Sequence, residues 1–199
     1  NWFGLAASTV TLFTTNFNAN VGTAASADDP IWSYNGSTWS TLSYSPNSTL
    51  NGANNVQPLT VTTTGSSGTV ITNYVQTCLI IVAFKNRLLL LNTIENNANG
   101  ATQYDPANKT TTGITNQPAG GNYVTSTSTA YRNRCRYSIN GSPFAANAWL
   151  EPNQIYTAAL GGSQVIATGA GFIDASTDEA IVSAEFIKDR LIVYFERST

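Results

Sequence analysis

Two stretches of the chain repeat one order of apolar and polar positions. The first is Phe84-Lys85-Asn86-Arg87-Leu88-Leu89-Leu90-Leu91, and the second is Ile187-Lys188-Asp189-Arg190-Leu191-Ile192-Val193-Tyr194. Each is a large apolar residue, a lysine, an asparagine or aspartate, an arginine and four apolar residues. Apolar residues also precede each one, at 79–83 and 180–186. The pattern predicts a strand, a two-residue polar turn and a returning strand, because Asn and Asp tolerate the backbone reversal that a tight hairpin needs. Two copies of one order predict a repeated supersecondary unit with long insertions between. Residues 179–185 also contain helix formers, so a helix is the alternative there, and the match to the first copy favours strands.

The other elements read in the same way. Val10-Thr11-Leu12-Phe13 fits a strand, and 16–27 reads as loop. Ile31-Trp32-Ser33-Tyr34, Asn35-Gly36 and Ser37-Thr38-Trp39-Ser40-Thr41-Leu42 predict a hairpin turning at Asn-Gly, with Tyr44-Ser45-Pro46 closing the unit. Leu59-Thr60-Val61-Thr62 is a strand candidate, and extended chain resumes at 70–75. The continuously apolar runs 79–84 and 88–91 predict strands covered on both faces. Residues 96–130 form a long insertion of Asn, Thr, Gly and Ala. In 131–139, alternation sets Tyr131, Asn133, Cys135, Tyr137 and Ile139 on one face and Arg132, Arg134 and Arg136 on the other. Asn140-Gly141 predicts another hairpin turn, with Phe144 and Trp149 as core, and Val165-Ile166-Ala167-Thr168 is extended. The expectation is an all-β protein of antiparallel hairpins with long polar loops. It divides into an N-terminal β-rich segment with the aromatic hairpin, 1–73, and a repeated-hairpin β domain, 74–199, carrying the insertion 96–130.

Composition narrows the function classes. The 199 residues are enough for a sizeable core, yet charged residues are only 10% of the chain and the net charge is −2. No basic field attracts a nucleic-acid backbone, and no Lys/Arg cluster suits an anionic membrane surface. No apolar run approaches a membrane span. The chain contains no Met and begins at Asn1. It reads as a processed product or a piece of a longer protein, whose last strand needs a neighbour.

Catalytic chemistry has few candidates. The chain has no His, so a Ser-His or Cys-His mechanism is excluded within it, and metal binding is not expected. Eleven acids leave carboxylate pairs open, though none lies in a stretch that reads as a site. Asp174, Asp178 and Glu179 cluster without the spacing of a calcium loop, and read as a solvated turn. Gly65-Ser66-Ser67-Gly68 lacks the Lys and Ser/Thr of a phosphate loop, and Gly169-Ala170-Gly171 lacks the rest of a dinucleotide fingerprint. Cys78 and Cys135 read as two largely buried thiols rather than a disulfide scaffold. No cofactor and no enzymatic activity are expected.

Two surfaces remain as binding candidates. Arg132, Arg134 and Arg136 form either a solvated face or a contact surface for another subunit, since Arg suits interfaces. Trp32, Tyr34 and Trp39 form either a cross-strand core cluster or a platform for a sugar, such as a host-surface glycan. Asn-x-Ser/Thr sequons at Asn35, Asn47, Asn108 and Asn140 are weak evidence for glycosylation in so Asn- and Thr-rich a chain.

One family likeness bears on these surfaces. The run from Arg132 to Pro143 followed by Trp149, and the run from Asp178-Glu179-Ala180-Ile181 to Asp189-Arg190-Leu191-Ile192-Val193-Tyr194-Phe195-Glu196-Arg197-Ser198-Thr199, resemble blade segments of tailed-bacteriophage virion proteins. In those proteins a turn, an Arg-Leu pair and an apolar strand recur in propeller-like tail components such as the nozzle. The resemblance covers 74–95 and 131–199, and leaves 1–73 and 96–130 unmatched. It implies an incomplete propeller-like or sandwich architecture, because a full propeller needs more blades than this chain holds. It also implies a structural role in the virion, after assembly in the host cytoplasm. The protein would be a homo-oligomer in a ring or tube, touching its own copies and neighbouring virion proteins, with DNA passing but not specifically bound. No catalytic or metal residue carries over, because the shared motif is a packing motif.

Overall fold

The computed structural model describes residues 3–7, 9–14, 31–42, 50–51, 57–63, 69–97, 128–145, 147–157 and 164–198. Every regular element among them is a strand. In chain order these are β1 (Phe3–Ala7), β2 (Thr9–Thr14), β3 (Trp32–Tyr34), β4 (Trp39–Thr41), β5 (Leu50–Asn51), β6 (Gln57–Thr63) and β7 (Thr69–Phe84). They continue with β8 (Arg87–Asn97), β9 (Ser128–Tyr137), β10 (Ile155–Thr157), β11 (Gln164–Ile166), β12 (Gly171–Asp174), β13 (Ile181–Ile187) and β14 (Arg190–Phe195).

Both Lys-Asx turns form as the repeated pattern predicts. Phe84 pairs with Arg87 across Lys85 and Asn86, whose φ values of 46° and 61° are those of a type I′ turn. Ile187 pairs with Arg190 across Lys188 and Asp189, and Lys188 takes φ 57°. Strand, not helix, occupies 181–187.

The centre of the molecule is a six-stranded, curled sheet in the order β12-β9-β8-β7-β5, with β6 also on β7. Its pairings are antiparallel except for β5 with β7. The apolar run of β7 and β8 is buried on both faces. Cys78, Ile81, Leu88 and Leu90 face one cluster, while Ile80, Val82, Leu89 and Leu91 face another. The first face is covered by Phe13, Ile31 and Leu42 of the β1-β2-β3-β4 sheet and by Ala148 and Trp149 after β9. The second is covered by the β13-β14 ribbon through Ile181, Ala184, Leu191, Val193 and Phe195. The central sheet is therefore covered on both faces, and each large apolar side chain withdrawn from water contributes about 1.5–3 kcal/mol.

Asn92 clips the ribbon to the sheet. Its φ of 56° marks the shift in β8–β9 register between Leu91 and Thr93. There its Nδ2 donates to the Ile181 carbonyl at 3.1 Å. The bulge turns a buried amide toward the neighbouring layer.

Three expectations need correction. The boundary expected between 73 and 74 falls inside β7, and β6 pairs along β7 from Gln57 to Thr63. The aromatic hairpin does not turn in two residues at Asn35-Gly36: Tyr34 pairs with Trp39, leaving a four-residue loop, 35–38. Asn35 prefers to cap that loop, its Oδ1 accepting from the Ser37 and Thr38 amides at 2.9 Å each. Asn140-Gly141 is not a hairpin either. It bends the chain against the first Lys-Asn turn, where the Gly141 amide donates to the Asn86 carbonyl at 2.9 Å. Of the polar insertion, 98–127 lie outside the described residues, as do Asn47, Asn108 and the expected closing turn at Tyr44-Ser45-Pro46.

Candidate functional site

The arginine strand and the aromatic hairpin are the two places where side chains of one kind converge. In β9, Arg134 and Arg136 are buried and only Arg132 of the three is exposed. The open arginine face is thus corrected for two of its members, and the reason is three carboxylates from elsewhere in the chain. Arg136 meets Glu95 of β8 at two points, Nε to Oε1 at 2.5 Å and Nη2 to Oε2 at 2.7 Å. The same Nη2 reaches Glu151 Oε1 at 3.0 Å. Arg134 meets Asp174 of β12 at two points, 2.7 and 2.8 Å, and reaches Glu95 Oε2 at 3.2 Å. Thr93 Oγ1 donates to Glu95 Oε1 at 2.9 Å, which leaves that carboxylate well supplied with donors.

Aromatic rings close the cluster. The Arg134 guanidinium lies 3.6 Å from the Tyr131 ring centroid and 4.0 Å from that of Phe172, and Arg136 lies 4.9 Å from Phe172. Burial pulls the Arg134 pKa down, but the hydrogen bond to Asp174 and the fields of Glu95 and Asp174 outweigh it, so the net direction is upward. The hydrogen bond from Arg134 holds the Asp174 carboxyl below the usual carboxylate range. Arg136 Nη1 is buried without a hydrogen-bond partner among the described residues. The arrangement fixes β12, β9, β8 and the segment around Glu151 to one another, and it neutralises Arg134 and Arg136 within the chain.

The outer edge of this region is apolar. β12 borders the six-stranded sheet, pairing with β9, and its Phe172 is 39% exposed and its Ile173 64% exposed. Val182, Phe186 and Ile187 of the ribbon are also exposed.

In the aromatic hairpin, strand alternation separates two sides. Phe13 pairs with Ser33, and both are buried. Trp32 and Tyr34 flank Ser33 and so take the opposite side, where Tyr34 stacks on its cross-strand neighbour Trp39 with ring centroids 4.9 Å apart. Trp32 and Tyr34 are half-buried and Trp39 is 46% exposed. The aromatics therefore lie away from the core that Phe13 enters.

The acidic trio does not converge on a point. Asp174 is held by Arg134, Asp178 is exposed, and Glu179 Oε2 accepts from the Arg197 amide and the Ser198 hydroxyl at 3.1 and 2.9 Å. Cys78 and Cys135 are both thiols, packed toward opposite faces of the central sheet. Burial raises both pKa values, that of Cys135 to about 12. Among the described residues no helix is long and apolar enough to cross a membrane.

Sequence reasoning found the arginines but not Glu95. Its signal was faint: Glu95 is the one acid of β8, but it lies at the polar end of that strand, where an acid reads as exposed. In comparisons with known proteins, the chain matches no family model, no curated protein and no solved structure.

Proposed function

We propose that the protein is a structural component of a bacteriophage virion, of the tail or nozzle type. In this reading it forms a ring or tube with copies of itself and with neighbouring virion proteins. The observation that carries the reading is the place of β12 at the border of the central sheet, with its Ile173 side chain 64% exposed. Such an edge is a template for strand addition by another chain. The buried arginine–carboxylate cluster supports it from behind, giving a short edge strand the rigidity that docking needs. The resemblance of 74–95 and 131–199 to blade segments adds the virion context.

A second copy is the expected first partner, and Arg132 lies on the strand next to the edge. The role is non-catalytic. DNA passes without specific binding, in keeping with a net charge of −2 and two internally neutralised arginines. The test is the assembly state. Sedimentation and electron microscopy of the purified chain should reveal closed rings or tubes, and Ile173→Lys should reduce them to monomers. A wild-type chain that stays monomeric at high concentration, and that takes up no virion partner, removes the reading.

The outward aromatics favour a second reading, a carbohydrate- or receptor-binding β-domain. Trp39 stacked on Tyr34, with Trp32 on the same side, offers an apolar aromatic surface on which a sugar ring could pack. It predicts glycan binding that Trp39→Ala abolishes. A glycan array with no response, or one unchanged by that substitution, ends this alternative.

A further inference from the structure

Two Asn-Gly pairs fall whole within the described residues, both followed by Ser, and the fold holds them in opposite chemical states. At Asn35-Gly36 the side-chain carbonyl is bent back over the following peptide. Its Oδ1 accepts from the Ser37 and Thr38 amides at 2.9 Å each and from Thr38 Oγ1 at 3.4 Å. These bonds fold the Asn35 side chain forward along the backbone that begins at Gly36. Three donors on one carbonyl oxygen withdraw charge from Cγ, and would stabilise negative charge developing on that oxygen. Asn35, Gly36 and Ser37 are all exposed, so water reaches the site.

At Asn140-Gly141 the same atoms are engaged elsewhere. The Gly141 nitrogen donates to the Asn86 carbonyl at 2.9 Å, and Asn140 Oδ1 accepts from Asn86 Nδ2. The nucleophilic nitrogen is thus tied to the first Lys-Asn turn and must break that bond before it can attack.

We propose that Asn35 is a site of spontaneous deamidation in the folded protein, and that Asn140 is protected. The Gly36 amide nitrogen, losing its proton to water or hydroxide, attacks Cγ of Asn35. The Cγ–Nδ2 bond breaks, ammonia leaves, and a five-membered succinimide forms. Water then opens either carbonyl of that ring, giving aspartate or isoaspartate. The net change is one water consumed and one ammonia released, with no oxidation or reduction. The product carries a carboxylate in the loop between Tyr34 and Trp39.

Peptide mapping of the intact chain, incubated at mildly alkaline pH, tests this. Fragmentation localises each mass increase and separates isoaspartate from aspartate. Asn35 should convert at least about fivefold faster than Asn140, the factor expected for one hydrogen bond that must break first. In denaturant the two Asn-Gly-Ser sites should convert at similar rates. The proposal is overturned if Asn140 keeps pace with Asn35 in the native protein, or if the difference persists in denaturant. It is also overturned if native Asn35 stays intact over a time in which the denatured chain converts at both sites.

Discussion

Arg136 and Glu95 meet across two adjacent strands with both guanidinium–carboxylate contacts formed, at 2.5 and 2.7 Å, although they lie 41 residues apart in sequence. Both side chains are almost fully buried, with exposures of 2% and 8%. A buried ion pair with complete geometry is worth little more than a well-packed apolar pair, but removing one partner strands the other. Glu95→Gln should therefore lower unfolding free energy by about 3–5 kcal/mol, because two arginines lose their shared anion. Arg136→Met should fall in the same range. Urea denaturation measures both, and losses under about 1 kcal/mol would show that the cluster is not what ties β8 to β9.

Asp174 gives the same cluster a pH signature. The hydrogen bond from Arg134 lowers its folded pKa, whereas the unfolded carboxyl titrates near 3.8. A depressed carboxylate stabilises the fold above the unfolded pKa, and that contribution disappears as pH falls through the folded value. The side chain is 40% exposed, so solvent screening keeps the effect well below that of Glu95. Wild type should exceed Asp174→Asn in urea midpoint at neutral pH, and the two should converge in acid below about pH 4. A difference that widens on acidification would contradict the assignment.

Much of the architecture was legible because it is written locally. Lys85-Asn86 and Lys188-Asp189 interrupt apolar runs, and only a tight reversal accommodates that. Burial of 79–84 and 88–91 on both faces followed from their lack of polar alternation. Two of the turn readings failed for a shared reason. Asn35 and Asn140 have side chains that bond to neighbouring atoms, and those bonds select a longer loop in one case and a packed bend in the other. The boundary at 73 failed because the Thr- and Asn-bearing start of β7 resembles linker, whereas pairing with β6 makes it sheet. Alternation put Arg134 and Arg136 together, and both reach Glu95, but the register shift across 132–134 brings Tyr131 against Arg134, and nothing local to β9 reveals that Glu95, Glu151 and Asp174 converge on the two arginines.

Gly171 provides a test of close packing. It pairs with Tyr137 across β12 and β9, and a Cβ at this position would lie 2.7 Å from the Tyr137 hydroxyl oxygen and 3.1 Å from its Cζ. Gly171→Ala must displace the tyrosine ring and should cost about 1–3 kcal/mol. Tyr137→Phe removes the nearer atom, so the double variant should recover part of that loss. Thermal unfolding of the four proteins forms a double-mutant cycle. Strictly additive effects would mean that the ring moves aside freely.

The two matching turns should respond differently to one substitution. Asn86 takes φ 61° and Asp189 is not among the residues with positive φ. Alanine is strained in the left-handed region by roughly 1–2 kcal/mol and unstrained outside it. Asn86→Ala should therefore destabilise by about that amount, and Asp189→Ala should stay within about 0.5 kcal/mol of wild type. Asn86 also donates a side-chain hydrogen bond to Asn140, so Asn140→Ala measures that part separately. If Asn140→Ala alone reproduces the full loss, the cost lies in the side-chain bond and not in the backbone. If Asp189→Ala matches Asn86→Ala, the two turns are equivalent in energy as well as in sequence order.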